Sequence, residues 1–498
     1  MMNRALNSTR PDELVAEFFS EYRATGDYPR ECVARLAALA TGDDLNIAQA
    51  ATTALFTGLI ERLADSFSPA DAALYNRVFA QVIEHSRHLD KGHALDAALN
   101  AQGLCDEAAL IGRARSLGAK RTIESSRLTG VRRVIVLSRV TLGADVAITS
   151  VIIRRFEHEF PNAEIVLIGG RKAEQLFGGD HRIRFEAVDY HRAGLTLERL
   201  LNWPAVAEAV RALTSGLAPD EWLVVDPDSR LTQLGLLPLT DRKENYFFFP
   251  SREYGATTRD ALGQLAAAWL DEIFDAPRPV LPSLSLHPRD TEAAGRLAER
   301  LRQRGARLII AVNFGVGGNS AKRVNDEFEQ SLVAQLVREG ATVILDKGAG
   351  ADETRRADTV VERVRRETAT DAIALSESRF AEALNQSPDA RLLVWDGSIG
   401  RLAALIAQSD LYIGYDSAGQ HIAAAVATPG VTIFAGYSSP RMLDRWRPTG
   451  SGASSVIAVD PSRAVDTDEL LSAALAAVED ARGRRQEAGG SQGDGEPL

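Results

Sequence analysis

The sequence predicts an α/β protein with two doubly wound, Rossmann-like halves that face a cleft and are preceded by an all-α domain. Up to about Lys120 the apolar residues recur at helical spacing and no convincing strand is found. From Val131 onwards, short β-branched runs alternate with amphipathic segments, which is typical of parallel sheets covered by helices. Closely spaced prolines (Pro277, Pro279 and Pro282) indicate a linker between the two halves.

The first domain, residues 1–125, is predicted to be an α-helical accessory domain. Turn signals at Asp43-Asp44, Ser68-Pro69 and Asp90-Lys91-Gly92 separate its helices. The predicted helices are Asp12 to Arg23, Arg30 to Ala40, Leu45 to Ser66, Pro69 to His88 and Gly92 to Leu117. Oligomerisation, contact with a protein partner, acceptor recognition and docking at a membrane surface stay open as roles for this domain.

The first α/β domain is placed at residues 126–280. Its predicted strands are Arg132 to Ser138, Glu164 to Ile168, Ile183 to Val188, Trp222 to Val225 and Tyr246 to Phe249. Its predicted helices are Asp145 to Phe160, Lys172 to Phe177, Leu197 to Leu213 and Thr257 to Phe274.

The second α/β domain is placed at residues 285–482, and residues 483–498 are predicted to be a disordered tail. The predicted strands are Leu308 to Asn313, Thr342 to Leu345, Leu392 to Trp395, Leu411 to Tyr415, Val431 to Phe434 and Val456 to Val459. The predicted helices are Asn325 to Glu339, Asp352 to Thr368, Ile399 to Ser409, Gly419 to Ala427 and Asp466 to Arg482.

Bulk composition narrows the class of protein. The 498 residues carry a net charge of -11, which argues against a general nucleic-acid binder. Cys32 and Cys105 cannot form a disulfide framework, so a reducing cytoplasm is expected. The chain shows neither a secretory h-region nor an apolar run long enough to span a membrane. We expect a cytoplasmic protein, or one held peripherally at the inner face of the membrane.

The most informative segment runs from Leu411 to Pro448. A buried strand leads into the polar turn Asp416-Ser417, then an alanine-rich helix, then Pro429-Gly430 and a second strand. The helix therefore starts at the carboxyl edge of a parallel sheet, where its free N–H groups and its dipole favour a phosphate.

The same segment resembles glycosyltransferase family 9, whose best-known members are ADP-heptose:lipopolysaccharide heptosyltransferases. Asp416-Ser417-Ala418-Gly419-Gln420-His421, three alanines, Pro429 and a Ser-Ser-Pro turn are similar to the family signature D-[ST]-G-x-x-H-x-A-A-A…P…F-G-x-T-x-P. The chain departs from the signature at Ala418, where the family has glycine, and at Phe434-Ala435-Gly436-Tyr437. These departures concern the donor sugar and base more than the fold.

Two further matches lie in the first α/β domain. Arg139 to Asp145 resembles the family's R-x-x-x-G-D turn, with Ala144 inserted between Gly143 and Asp145, and Phe160 to Ile165 resembles its F-P-x-A-x-I entry to the second strand. The resemblance covers roughly Val131 to Asp480. It implies a GT-B fold, a nucleotide-sugar donor (by analogy ADP-heptose) and a metal-independent reaction without a cofactor. No metal motif is found in the sequence.

Asp145 is the candidate general base. An inverting transfer needs a carboxylate that takes the proton of the acceptor hydroxyl as that oxygen attacks the anomeric carbon. The alternative is that Asp145 only caps the following helix. Arg139 and Gly143 are candidates on the acceptor side with it, and so is Arg441, which could instead serve packing.

Lys322 is the candidate group that stabilises the leaving diphosphate, with Arg323 as the rival cation. It ends a glycine-rich loop whose backbone N–H groups could hold phosphates. The donor-binding candidates are Gly317, Gly318, Asn319, Ser320, Asp352, Glu353, Asp416, Ser417, Ala418, Gly419 and His421. For Asp352 and Glu353 the alternative is a first-turn acid that favours the helix dipole, and for Asp416 it is an N-cap.

The predicted function is an inverting glycosyltransferase that moves a sugar, by analogy heptose, to a hydroxyl of a glycan, glycolipid or protein. Its expected partners are a nucleotide sugar and a glycan or glycolipid acceptor, without nucleic acid. Two alternatives stay open. One is a noncatalytic nucleotide-sugar-binding or assembly protein. The other is a GT-B enzyme such as a nucleotide-sugar epimerase, in which His287 or Glu253 would supply acid–base groups.

Overall fold

The computed structural model describes residues 10–124, 129–188, 190, 194–378, 380 and 389–490, with the backbone alone for 484–490. It divides into two compact units. The first comprises Met1–Val140, Ile152–Arg171 and Arg182–Arg278, and the second comprises Thr141–Val151, Lys172–His181 and Pro279–Leu498. The predicted domain boundaries themselves stay predictions.

The first unit begins with the predicted helices. They are α1 (Pro11–Thr25), α2 (Arg30–Ala40), α3 (Leu45–Thr53, continued by a π-helical Ala54–Glu61 and by Arg62–Ala64), α4 (Pro69–Arg87), α5 (His93–Ala101) and α6 (Glu107–Leu117). The single helix predicted over 92–117 is wrong, because two helices lie there. Gly103 has a φ of 72° after α5, and the Asp106 side chain accepts a hydrogen bond from Ala109 N that begins α6.

The first sheet consists of five parallel strands in the order β3-β2-β1-β4-β5. They are β1 (Arg133–Leu137), β2 (Glu164–Gly169), β3 (Ile183–Ala187), β4 (Trp222–Asp226) and β5 (Tyr246–Phe248). The helices along this part of the chain are α7 (Leu142–Ala144, π-helical Asp145–Thr149, then Ser150–Glu159), α8 (Arg171–Phe177), α9 (Thr196–Leu200), α10 (Asn202–Thr214) and α11 (Leu262–Phe274).

The helical region and the first sheet share one hydrophobic core. Buried side chains of α4 and α6, such as Val78 and Leu110, belong to the same cluster as Ile135 of β1 and Val224 of β4. The buried segment 231–239 after β4 joins them, and Arg113 of α6 donates to Gly235 O at 2.8 Å. The helical region is therefore packed into the first unit by apolar burial.

The second sheet consists of seven parallel strands in the order β12-β11-β10-β6-β7-β9-β8. They are β6 (Ile309–Asn313), β7 (Thr342–Asp346), β8 (Ala372–Ser376), β9 (Leu392–Asp396), β10 (Leu411–Tyr415), β11 (Gly430–Phe434) and β12 (Ser454–Ala458). The helices are α12 (Pro288–Gln303), α13 (Asp326–Arg338), α14 (Ala351–Thr368), α15 (Ile399–Ala407), α16 (Ala418–Ala425), α17 (Pro440–Trp446) and α18 (Thr467–Gly490).

Several boundaries differ from the predictions. Two helices, α12 and α17, and the edge strand β8 were not predicted, and the helix predicted over 197–213 is two, α9 and α10. The helix predicted from Thr257 begins at Leu262, because the turn at Gly255, with a φ of 64°, precedes it. Of the predicted disordered tail, residues 483–490 are assigned to α18, while 491–498 lie outside the described residues.

None of the described helices is both long enough and apolar enough to cross a membrane.

Candidate active site

The predicted donor residues converge at the carboxyl edge of the second sheet. Strands β6 and β10 are parallel neighbours, although the chain forms β7, β8 and β9 between them, so the strand order reverses at this point. Such a switch point opens a crevice beyond the strand ends where open α/β sheets bind ligands. Lys322 follows β6 and Asp416 follows β10, so the topology brings the two side chains together.

Lys322 and Asp416 form an ion pair, with Nζ 2.6 Å from Oδ2. Asp416 is buried, whereas the Lys322 side chain keeps 23% of its surface exposed. The Lys322 side chain therefore pairs with a buried carboxylate and is still partly exposed to solvent. Ser417, not Asp416, occupies the N-cap position of α16, so the Asp416 carboxylate is used for this ion pair rather than as a cap.

Arg323, the rival cation, turns towards α13 instead. Its Nε donates to Glu329 Oε1 at 3.0 Å, and its guanidinium also pairs with Asp326 at the start of the helix. Arg356 reaches the buried Glu329 as well, at 2.8 Å. Two guanidinium groups thus neutralise one buried carboxylate, and this network anchors α13 and α14 without involving the Lys322 side chain.

The loop before Lys322 is open and exposed. Gly317 and Gly318 have φ values of 60° and 86°, and a Cβ added to either would meet no heavy atom within 4 Å. Asn319 accepts a hydrogen bond from Ala321 N at 3.2 Å through its side chain, and Ser320 begins a single 3₁₀ turn that ends at Lys322. The loop backbone is therefore accessible to a ligand along Gly317–Ser320.

The turn after β11 packs directly on this loop. Gly436 has a φ of 66°, and a Cβ there would overlap the carbonyl oxygen of Ala321. Only glycine combines this conformation with so close an approach. The departure from the family signature at 434–437 therefore includes a residue that fixes the position of the Lys322 loop.

Helix α16 lies close to β10 because its neighbours are small. Cβ atoms at Gly414 or Gly419 would overlap the hydroxyl of the buried Tyr412. On the other side, a Cβ at Gly143 would lie 3.4 Å from Ala418 Cα and from His421 Cδ2. Glycine at 419 thus allows β10 to approach α16, whereas a Cβ at 143 would only make van der Waals contact with α16.

Two buried polar side chains of α16 extend the network. Gln420 Nε2 donates to Asp416 Oδ1 at 2.6 Å and to the Trp446 carbonyl oxygen at 3.3 Å. His421 is buried against the Trp446 ring, with the ring centres 6.1 Å apart. Burial, opposed in part by the charge of Asp416 and assisted by that of Lys322, lowers the pKa of His421 to about 4, so the imidazole is neutral at pH 7.

The two acids at the start of α14 have different surroundings. Glu353 accepts hydrogen bonds from Val316 N at 3.0 Å and from Ala349 N at 2.8 Å, so it ties the glycine-rich loop to the loop after β7. Asp352 is exposed and pairs with Arg355 and Arg356, as a first-turn acid does.

Asp346, at the end of β7, was not among the predicted site residues. Its Oδ2 accepts from Asn313 Nδ2 at 2.7 Å at the end of β6. Burial, opposed by a backbone hydrogen bond from Gly348 and assisted by the charges of Glu353 and Asp396, raises its pKa to about 7. The sequence did contain a signal for this residue, because an Asp ends β7 and an Asn ends the neighbouring strand β6.

Asp145 does not cap its helix, because the chain is already helical from Leu142 and Thr141 holds the N-cap position. It is buried, with 1% of its surface exposed, and its Oδ1 accepts from Thr149 Oγ1 at 2.9 Å. The local π-helical turn begins at this residue. Gly143, two residues earlier, contacts α16, so Asp145 and the Lys322–Asp416 pair belong to the same compact unit.

Arg139 belongs to the first unit, where it anchors a turn. Its Nη1 donates to Pro227 O and to Ser251 Oγ, both at 2.8 Å. Ser251 donates in turn to Asp228, which also pairs with Arg252. Arg139 is 7% exposed, so the structure uses it as a buried link between the turns after β1, β4 and β5.

Two further predicted groups, Arg441 and His287, belong to the second unit. Arg441 is half-buried in α17, and His287 caps α12 by accepting from Arg289 N at 3.2 Å. Within the described ranges, no three His, Cys, Asp or Glu side chains are grouped so that they could hold a metal ion.

Comparison with known proteins places this geometry in context. Residues 267–464 match the model of glycosyltransferase family 9 (heptosyltransferase). No curated protein sequence matches the chain. The matched residues include both Lys322 and Asp416.

Solved structures are similar at low identity. A glycosyltransferase family 9 protein from Veillonella parvula DSM 2008 aligns with a TM-score of 0.52 and 14% identity, over 72% of this chain and 100% of that chain. The E. coli ADP-heptose lipopolysaccharide heptosyltransferase II aligns with a TM-score of 0.45 and 14% identity, over 71% and 99%. The E. coli heptosyltransferase WaaC with ADP gives 0.45 and 14%, over 70% and 99%.

At 14% identity, the similarity to the Veillonella structure supports the fold and not the activity. The two E. coli structures have lower TM-scores and are not used to assign the fold. The fold is the predicted GT-B type, with two parallel α/β sheets preceded by a helical region. The resemblance to glycosyltransferase family 9 is confirmed, and residues 267–464 carry it.

Proposed function

We propose that this protein is an inverting glycosyltransferase that uses a nucleotide-diphosphate sugar, by analogy ADP-heptose. The sugar is transferred to a hydroxyl of a glycan, glycolipid or protein. The observation that carries the proposal is the ion pair of Lys322 and Asp416 at the switch point of the second sheet, within the family-matched residues. A cation held beside the start of α16 and an exposed glycine loop is suited to a diphosphate.

In the proposed reaction Lys322 exchanges its partner. The ammonium moves from Asp416 to the diphosphate, where negative charge grows as the glycosidic bond breaks. One charge-assisted contact of this kind contributes about 10²- to 10³-fold to the rate. The loop Gly317–Ser320 and the start of α16 supply backbone N–H donors to the same phosphates, so the proposal needs neither a divalent ion nor a cofactor.

Asp145 is proposed as the general base. It accepts the proton of the acceptor hydroxyl while that oxygen forms the new bond to the anomeric carbon and the diphosphate leaves from the opposite face. Support comes from its burial and from the Thr149 hydrogen bond, which holds the carboxylate in one orientation. Its packing through Gly143 against α16 links it to the donor residues.

The acidic groups around the loop have more local proposed roles. Glu353 orders the loop through two backbone N–H groups, so we assign it a positioning role rather than contact with the ribose. Asp352 remains a candidate ribose ligand, because it is exposed beside the loop after β7. Arg139 and Arg441 are retained as acceptor-side candidates.

The test is an assay of nucleoside diphosphate release with ADP-heptose and other nucleotide sugars, with and without an acceptor extract. Acceptor-dependent release supports the transferase. Binding of nucleotide sugars without release supports the noncatalytic alternative. Conversion of the sugar without release of the nucleotide supports the epimerase alternative, for which His287 is poorly suited because its ring caps α12.

A further inference from the structure

Gln420 lies at the centre of the Asp416 network, although no sequence motif singled it out. The residue is 1% exposed, and its Nε2 lies 2.6 Å from Asp416 Oδ1. The same nitrogen lies 3.3 Å from the Trp446 carbonyl oxygen and 3.4 Å from His421 Nε2. Its Oε1 has no hydrogen-bond partner among the residues that the structure describes, so Asp416 and Trp446 set the orientation of the amide.

We propose that Gln420 is a positioning residue that holds the Asp416 carboxylate in place, so that Lys322 can leave it for the diphosphate of the donor. The inference rests on the proposed function, because it assumes that a diphosphate is the anion that Lys322 meets. Gln420 touches neither the donor nor the acceptor in this proposal and acts only through Asp416.

The argument starts from the two oxygens of Asp416. Oδ2 is held by Lys322 and Oδ1 by Gln420, each at 2.6 Å. When Lys322 turns to the diphosphate, the buried carboxylate loses its cation, and an uncompensated buried charge is strongly destabilising. The amide of Gln420 then supplies the remaining hydrogen bond to a charged group, which lowers the free energy of releasing Lys322.

His421, the next residue along α16, does not provide this support. His421 is neutral at pH 7 because burial lowers its pKa to about 4, so it brings no positive charge to Asp416. The charged groups on the elements around α16 are Lys322 on the loop after β6, Asp145 on α7, Arg401 on α15, and Arg441, Asp444 and Arg445 on α17. Lys322 donates to Asp416 Oδ2, and it is the group that must leave.

The experiment measures ADP binding by isothermal titration calorimetry at constant ionic strength. Gln420→Met keeps the length of the side chain and removes the donor, so we expect its Kd to rise about tenfold, the value of one hydrogen bond to a charged group. Gln303→Met is the matched control, because Gln303 is exposed on α12 and donates to the neighbouring Glu299. Its Kd should equal that of the wild type.

Gln420→Glu distinguishes a hydrogen-bonding role from a space-filling role, because only the former makes ADP affinity depend on pH. At pH 8 the new carboxylate cannot donate to Asp416 and repels it, so ADP should bind at least as weakly as in Gln420→Met. At pH 5 the protonated acid donates to Asp416, and the Kd should return to within a few-fold of the wild type at that pH. Gln420→Met should stay weak at both pH values.

The outcomes are distinguishable. Equal ADP affinity for the wild type and folded Gln420→Met, or a Gln420→Glu variant whose deficit is the same at pH 8 and pH 5, would overturn this inference and leave the proposed function standing. A wild type that binds no nucleoside diphosphate would overturn the proposed function and this inference with it. Melting temperatures show whether a variant is unfolded. If Gln420→Met is unfolded, the ADP affinity of Gln420→Glu at pH 8 and at pH 5 decides, because glutamate keeps the shape of the glutamine side chain.

Discussion

Asp145 is a position at which catalysis and folding can be separated. Asp145→Asn keeps the side-chain shape and an oxygen for the Thr149 hydroxyl, but removes the basicity that the proposed reaction needs. We expect kcat to fall by about 10²- to 10⁴-fold, the usual contribution of a general base, with nucleotide binding unchanged. Steady-state rates and ADP titration measure the two effects separately.

Asp468→Asn is the control for that substitution, because Asp468 is an exposed acid in the first turn of α18. It should leave both rate and affinity unaltered. Full turnover of Asp145→Asn would show that the base has been assigned to the wrong carboxylate.

The adjacent cations Lys322 and Arg323 should have opposite phenotypes. Lys322→Ala is expected to lower kcat/KM by about 100-fold or more, because it removes the charge proposed to face the diphosphate. Arg323→Ala removes a partner of the buried Glu329 and should lower the melting temperature while changing kcat/KM far less. Kinetics and thermal unfolding of both variants test the assignment, and the reverse pattern would exchange the two roles.

His421 should make stability depend on pH in a specific window. Its pKa is about 4 when folded and about 6.5 when unfolded, so the unfolded chain binds the proton first as the pH falls. Its contribution is complete above pH 6.5 and is lost progressively between pH 6.5 and pH 4, by about 3 kcal/mol in all. His421→Gln should flatten the melting temperature across this window, and an unchanged slope would contradict a buried neutral imidazole.

At the scale of elements, the turn after β11 fixes the loop that carries Lys322. Gly436→Ala introduces a Cβ at a φ of 66° that would overlap the Ala321 carbonyl oxygen, so both backbone strain and displacement of the loop are expected. Stability should fall by more than about 1 kcal/mol, and ADP binding should weaken with it. Thermal unfolding and titration check the two effects.

Gly305→Ala is the control that separates the effect of backbone strain from the effect of the contact between Gly436 and Ala321. Gly305 has a φ of 88°, but a Cβ there would meet no atom within 4 Å, so it should lower stability without changing ADP affinity. If the two variants behaved alike, the proposed coupling of Gly436 to the Lys322 loop would be wrong.

Elements with a strong internal pattern were predictable from the sequence. The β-branched runs that became β1, β6 and β10 are buried on both faces and bounded by turn residues, so their limits were found within one or two residues. The edge strand β8 was missed because its alternating burial gives a weak signal over five residues. Helix α12 was missed although Pro288 at its first turn and Leu297 and Leu301 four residues apart mark it.

The site was predictable where a residue type and its place at a strand end coincide. Lys322 and Asp416 were identified because each follows a buried strand, and parallel strands meet at one edge. Gln420 was not identified, because its role depends on the rotation of α16 about its axis and on where α17 ends. The packing role of Gly436 likewise depends on a contact between two loops far apart in the sequence.

At the scale of the whole molecule, the helical region stabilises the first unit, because the two share one hydrophobic core. Its buried side chains lie in one cluster with β1, β2 and β4, so a chain without residues 1–124 would expose that apolar surface. We expect the truncated chain to be susceptible to proteolysis within 182–278. Limited proteolysis with mass spectrometry tests this, and equal protection of the truncated and full-length chains would show that the helical region is dispensable for folding.

The most direct test of the central claim is nucleoside diphosphate release from a panel of nucleotide sugars in the presence of an acceptor extract. Wild-type protein should release the diphosphate from one donor, with ADP-heptose the first to try, while Lys322→Ala and Asp145→Asn should be reduced to near background. Absence of release from every donor, or equal release by the wild type and both variants, would contradict the account of this protein as a glycosyltransferase that acts through these two residues.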